Sequence, residues 1–173
     1  EGSYILNVGN KLAADVISAN EIRIRDGVLS HQGCFGIIES GTYDSLTIAN
    51  GAQGMLRHDL IVCRYTKNAG TNVEALGRVV IQGTASATNP ADPTYNSGDI
   101  QTGDSPVDFP LYRVNIDGIT IDSVDQVASI APSAEKQAET LSILESRGFA
   151  QVSSYTIPGS GWQPVTSVTI QAN

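Results

Sequence analysis

Apolar and polar positions alternate in short runs along most of the chain, and Gly, Asn, Asp and Pro break the runs at short intervals. That pattern predicts strands joined by tight turns. In "EIRIRDGVLSH", Asp26-Gly27 has the chemistry of a two-residue type I′ turn, which would set Ile24 opposite Leu29 and Arg23 opposite Ser30. "CFGIIESGTYDSLTIANGAQG" reads as two strands split by Ser40-Gly41 and followed by a Gly-rich turn. "LIVCRY", Leu60 to Tyr65, is apolar on both faces and predicts a central strand covered on both sides. "GRVVIQG" is its expected partner across "TKNAGTNVEA". "YILNV" is a short apolar stretch, and "KLAADVIS" fits a helical turn or a strand. In "LYRVNIDGITIDSV", a turn at Asp117-Gly118 would place Val114, Ile116, Ile119 and Ile121 on one face and Arg113 opposite Asp122 on the other.

One segment breaks the period of two. From Ser133 to Arg147, Ala134, Ala138, Leu141 and Leu144 form a helical stripe. Ser133 is placed to cap the helix, Glu135 suits its first turn, Gly148 suits C′ and Phe149 suits the Schellman contact with Leu144. Residues 149–173 return to strand patterning. The expected organisation is a β-rich domain over 1–131, a helix and linker over 132–148, and a C-terminal β segment over 149–173 that docks back or opens a further domain. The expected fold is mainly β, an antiparallel β-sandwich or β-roll with one helix.

Composition sharpens this. Gly (17) and Pro (7) are plentiful and charged residues make up only 16%, the profile of a turn-rich β protein. The net charge of −8, with its ten Lys and Arg scattered, argues against nucleic acid and against an anionic membrane surface as partners. No run approaches the ~18 apolar residues of a membrane span. No signal peptide is visible at Glu1, and the start without Met points to a processed or trimmed chain. Cys34 and Cys63 lie in no CxxC and near no paired His; they are expected as two buried thiols, a single disulfide being the other reading.

Catalytic chemistry finds little to build on. There are two histidines, His31 and His58, and no GxSxG elbow. His58 and Asp59 are adjacent, so on a strand they point to opposite faces. "TASATNPADPTYNSGDIQTGDSPVDFP" is a long turn-rich loop, either functional or packed on its own side chains. Its Asp92, Asn96, Asp99, Asp104 and Asp108 are oxygen donors of the kind Ca²⁺ takes, but they match no EF-hand spacing and are also ordinary turn residues. "GSGW" and "ANGAQG" lack the Lys and the strand-to-helix setting of a phosphate loop. The expectation is therefore no catalytic residue, no cofactor and no metal. Trp162 in "GSGWQP" is expected to anchor its turn in a local core, an exposed platform for a sugar ring being the other reading; on that reading Trp162 and the loop Tyr95 are the candidates for stacking on a sugar.

"EIRIRDGVLSHQG", "GTYDSLTIANGAQGMLRHDLIVCRYTKN", "VVIQGTASATNPADPTYNSGDI" and "DFPLYRVNIDGITI", in this order, resemble a module of tail-region proteins from prophages of Gram-positive bacteria. The resemblance covers Tyr4 to Ile130, and "YTIPGSGWQP" resembles the opening of a β repeat in such proteins. In that pattern a small residue stands where this chain has Cys63. The resemblance implies a structural part of a phage tail, baseplate or fibre, located in the virion. It implies a symmetric homo-oligomer, a trimer above all, contacts with other tail proteins and a contribution to host attachment. It implies no catalytic residues. The alternative is a carbohydrate-binding module for cell-wall polysaccharide, using Trp162 and Tyr95.

Overall fold

A computed structural model of the chain describes residues 2–133 and 135–140. The chain divides into two units, Glu1–Ala131 and Pro132–Asn173. The first is a sandwich of two four-stranded antiparallel sheets. One sheet contains β1 (Ser3–Ile5), β2 (Ala14–Ser18), β3 (Glu21–His31) and β4 (Cys34–Thr47). β3 lies at its centre, with β4 along one side and β1 and β2 sharing the other. The second sheet contains β5 (Leu56–Lys67), β6 (Glu74–Ile81), β7 (Val107–Asp117) and β8 (Thr120–Gln126), in the order β6-β5-β7-β8. Ile22, Ile24, Leu29 and Ile38 of the first sheet meet Ile61, Leu111, Val114 and Ile116 of the second in one buried core. Burial of these branched side chains is the main driving force for holding the sheets together.

The apolar run Leu60 to Tyr65 is the central strand its pattern implies. Ile61 and Cys63 belong to the inter-sheet core, while Leu60 and Val62, on the other face, are also buried. Residues 82–106 cross that outer face. A methyl group at Gly83 would come within 2.0 Å of His58 O, so only Gly allows the crossing chain to lie this close. "KLAADVIS" resolves into strand, as β2.

Three turn expectations need correction. β3 continues through Asp26-Gly27 with a register irregularity rather than a turn, and the first-sheet hairpin turns instead at Gln32-Gly33, where both residues have positive φ. Tertiary contacts override the local signal at Asp26-Gly27. Asp26 is buried and accepts a hydrogen bond from the Asn10 side chain, and residues 9–13 lie so close that a methyl at Gly27 would meet Leu12 N at 2.6 Å. Ile24 and Leu29 consequently lie along one strand, Ile24 facing Asp44 and Leu29 facing Gly36. Nor does Ser40-Gly41 end a strand. Arg25 pairs with Tyr43 and Gly27 with Ile38, so residues 39–42 form a bulge within β4 opposite Asp26.

The last hairpin also turns one residue later than its sequence implies. Asp117 pairs with Thr120, so the two loop residues are Gly118 and Ile119, not Asp117 and Gly118. Gly118 at φ 59 occupies the first loop position, the type II′ arrangement. Ile119 is thrown out to solvent, and Arg113 falls opposite Asp125 rather than Asp122. An irregularity after Asn115 then restores the facing, so that Val114 meets Val124 and Ile116 meets Ile121 on the core side.

In the second unit, residues 135–140 are helical and exposed. Ser133 caps this run as its sequence implies, its Oγ accepting from Lys136 N and its carbonyl from Gln137 N. Ala134, Leu141, Leu144, Gly148, Phe149, Trp162 and the C-terminal β segment lie outside the described residues.

Candidate interaction surface

Among the described residues, several ionisable side chains fasten loops to the sandwich. Arg57 and Asp59 share the inward face of β5 and form a buried bidentate pair, with Arg57 Nε donating to Asp59 Oδ1 at 2.8 Å and Nη2 to Oδ2 at 2.9 Å. Arg57 also donates to the carbonyls of Ala49 and Asn50, where the chain crosses from β4 towards β5. Asp59 accepts in addition from Gly83 N, the start of the covering loop. Further along, Arg64 donates twice to Asp108, which also accepts from the backbone and side-chain amides of Asn96. Burial pushes the Asp108 carboxyl up, yet the Arg64 guanidinium and the Asn96 amides outweigh it and hold the group below its ordinary range.

The loop donors that would suit Ca²⁺ are thus engaged by the protein. Asp92 takes both arms of Arg113 and the His58 ring, and Arg113 above all keeps its carboxyl low. Asp99 accepts from Gln101 N at the head of a 3-10 turn, Ile100–Thr102, and Asp104 accepts from Asp99 N. Among the described residues no group of three or more His, Cys, Asp or Glu could hold a metal ion. Arg113 and Asp92 are each more than a third exposed, so water competes with their bond. Arg113→Ala is expected to cost about 1 kcal/mol or less in denaturant unfolding, while speeding proteolytic cleavage near Asp92.

The remaining candidates for chemistry are equally occupied. His31 is buried, stacked on Phe109, with Nδ1 2.8 Å from Ser3 Oγ and Nε2 3.3 Å from Val107 O. Burial lowers its pKa, favouring the neutral ring. Both cysteines are free, Cys63 buried and Cys34 half-buried, and burial pushes the Cys63 thiol up to about 11. Such a thiol stays protonated at neutral pH and is a poor nucleophile. A depression of about 190 Å³ lies beside Leu56, His58, Pro90 and Asp122. It is smaller than the ~300 Å³ at which ligand pockets begin, whereas a more open hollow of about 330 Å³ lies in the second unit beside Pro132, Lys136, Gln137 and Thr140. Tyr95 is exposed on the covering loop, and Trp162 lies outside the described residues. Of the two sugar-stacking candidates, only Tyr95 falls among the described residues.

What the surface does offer is apolar. Tyr4, Ser30 and Phe35 are cross-strand neighbours on the outward face of the first sheet. Directly opposite residues share a face, so the next row holds Val28 and Ile37, with Leu6 donating to Val28 O beside them. Phe35 is 63% and Ile37 62% exposed. On the same sheet, beyond the β4 bulge, Arg23 bonds Glu21 and lies 4.4 Å over the Tyr43 ring, and Arg25 bonds Asp15. The outer face is thus divided into an apolar half and a polar half. The alternation in "CFGII" had carried this signal, because Phe35 and Ile37 stay apolar on the face opposite the buried Ile38. The buried Arg57 and Asp59 had no such signal, since nothing local shows that two charges in "LRHDL" point inward.

The fold defines an antiparallel β-sandwich. No protein-family model, no curated protein and no solved structure matches the chain. Among the described residues no helix is long and apolar enough to cross a membrane.

Proposed function

We propose that the chain is a structural part of a phage or prophage tail or baseplate, carried in the virion and working as a symmetric assembly of its own copies. Three copies is the number that the sequence resemblance favours. It performs no reaction of its own; its contribution to host attachment is to present a surface. One observation carries the reading: the charges Arg57, Asp59, Arg64, Asp92, Asp108 and Arg113 are tied into internal staples, while Phe35 and Ile37 on the outward face of β4 are left apolar and exposed. Contiguous exposed apolar surface of this kind marks contact with another macromolecule. The ordered motifs from "EIRIRDGVLSHQG" to "DFPLYRVNIDGITI" supply the class of assembly.

The test is peptide mass spectrometry on tail particles induced from the source strain and purified on a density gradient. The chain is expected in the particle fractions at a fixed ratio to the major tail protein. Its presence only in the free-protein fractions would remove the virion assignment. Titration of cell-wall polysaccharide, followed by fluorescence, separates the alternative: a saturable change would favour a carbohydrate-binding module.

A further inference from the structure

We infer that Cys34–Ile38 is a self-pairing edge, where two copies of the chain join β4 to β4 in antiparallel fashion about a two-fold axis through Gly36. This deepens, and rests on, the reading of the chain as a self-associating part.

The open groups follow from the ladder. In an antiparallel pair each residue's N–H and C=O point to one side, and successive residues alternate. Val28 O accepts from Leu6 N at 2.8 Å, so the polar groups of Val28 turn towards β1 and away from β4. Its partner Ile37 therefore turns its own N–H and C=O away from β3, and Phe35, two residues earlier, does the same. The tight turn at Gln32-Gly33 agrees, because His31 and Cys34 close it as a bonded pair. Among the described residues the one group bonding this edge is Arg78 Nη2, at 3.4 Å from Ile37 O. A carbonyl keeps a second lone pair. The residues with open backbone are thus the ones whose apolar side chains are most exposed on β4.

The register selects a second copy as the occupant. An axis through Gly36 sets Phe35 opposite Ile37 of the partner subunit, and Ile37 opposite Phe35 of the partner subunit. Both are hydrogen-bonded pairs, so the three-residue contact forms four bonds. Between them Gly36 meets its own copy at the unbonded position, where backbones approach most closely and a side chain would crowd. The stretch Cys34–Ile38 itself holds no charge and no Pro, the usual devices that protect an edge; the charge bonded to it is Arg78 of β6, which is paired with Asp44 on β4. In a chain of net charge −8, an uncharged stretch is where copies repel least. Glu39, the nearest acidic residue on β4, would face Gly33 of the partner subunit rather than a like charge.

The contact is small. Phe35 and Ile37 from both copies would bury roughly 500 Å² of apolar surface, below the ~1,200 Å² of a stable free complex. It is a weak contact that an assembly multiplies. Being two-fold, it joins copies in pairs; in a three-fold particle it would link one trimer to the next.

The register permits a charge-swap test on the full chain. Association is measured by sedimentation across concentration for the wild type, Phe35→Lys, Ile37→Glu and the double variant carrying both. Each single change sits on the solvent face and should leave the circular dichroism spectrum and unfolding midpoint unchanged. Each should weaken association about tenfold or more, by setting a charge against an apolar side chain. The double variant faces Lys with Glu twice and should recover association to within about threefold of the wild type. An equimolar mixture of the two single variants should associate better than either alone. A wild type that associates but is indifferent to all three variants overturns this edge and leaves the self-association reading standing. A wild type that is monomeric up to about 0.5 mM overturns both. Singles that weaken association without recovery in the double variant overturn the two-fold register.

Discussion

Asp59→Ala is expected to lower the free energy of unfolding by about 3–5 kcal/mol, read as a shift of the urea midpoint. Asp59 is fully buried and answers both Arg57 and Gly83 N. Its removal leaves a guanidinium in the core with no counter-charge and an amide with no acceptor. Arg57 retains only the carbonyls of Ala49 and Asn50, which cannot neutralise it. The converse change separates the pair's net worth from the cost of breaking it. Arg57→Met with Asp59→Leu removes both charges together and should cost far less than Asp59→Ala. A midpoint shift under about 1 kcal/mol for Asp59→Ala would show that the pair is not buried as described.

The second large effect is on the covering loop in acid. Asp108 and Asp92 both have carboxyls held below their ordinary values in the folded chain. A depressed folded-state pKa contributes stability that is complete above the unfolded value and is lost as pH falls through the folded one. The part of stability carried by these two carboxylates should therefore be level at neutral pH and decline as pH drops below about 4, the unfolded carboxylate value, while the buried neutral His31 adds an earlier loss that begins below about pH 6.5. Asp108→Asn should cost roughly 2 kcal/mol at pH 7, because a neutral amide cannot replace a carboxylate shared by Arg64 and Asn96. It should also flatten part of the acid decline. Hydrogen exchange locates the effect: the amides of residues 82–106 should lose protection before the β5–β7 ladder does. A variant that keeps the wild-type acid slope would contradict the role given to Asp108.

The legible and illegible parts of this chain differ by the range of the forces involved. Leu60 to Tyr65 reads as a doubly covered strand because its own side chains require two apolar neighbours. Ser133 reads as a cap because its partners, Lys136 and Gln137, are three and four residues away. The Asp-Gly pairs show where local reading stops. At Asp117-Gly118 the hairpin is correct, but Gly fits either loop position, so the turn falls one residue later and Arg113 faces Asp125. At Asp26-Gly27 the same dipeptide makes no turn, because Asn10 and Leu12 pack onto it from outside β3. The staples Arg64 to Asp108 and Asp92 to Arg113 join residues far apart in sequence, and composition made those aspartates resemble a cation loop. The outward row through Tyr4, Ser30 and Phe35 required knowing which strands are neighbours, and that in turn required the true turn at Gln32-Gly33.

The central claim is that this sandwich exists to contact its own copies. Native mass spectrometry of the full chain at rising concentration tests it most directly, since a single 173-residue chain weighs 18.2 kDa. The account expects discrete species at whole multiples of that mass, their share growing with concentration. A lone 18.2 kDa species at every concentration would contradict it.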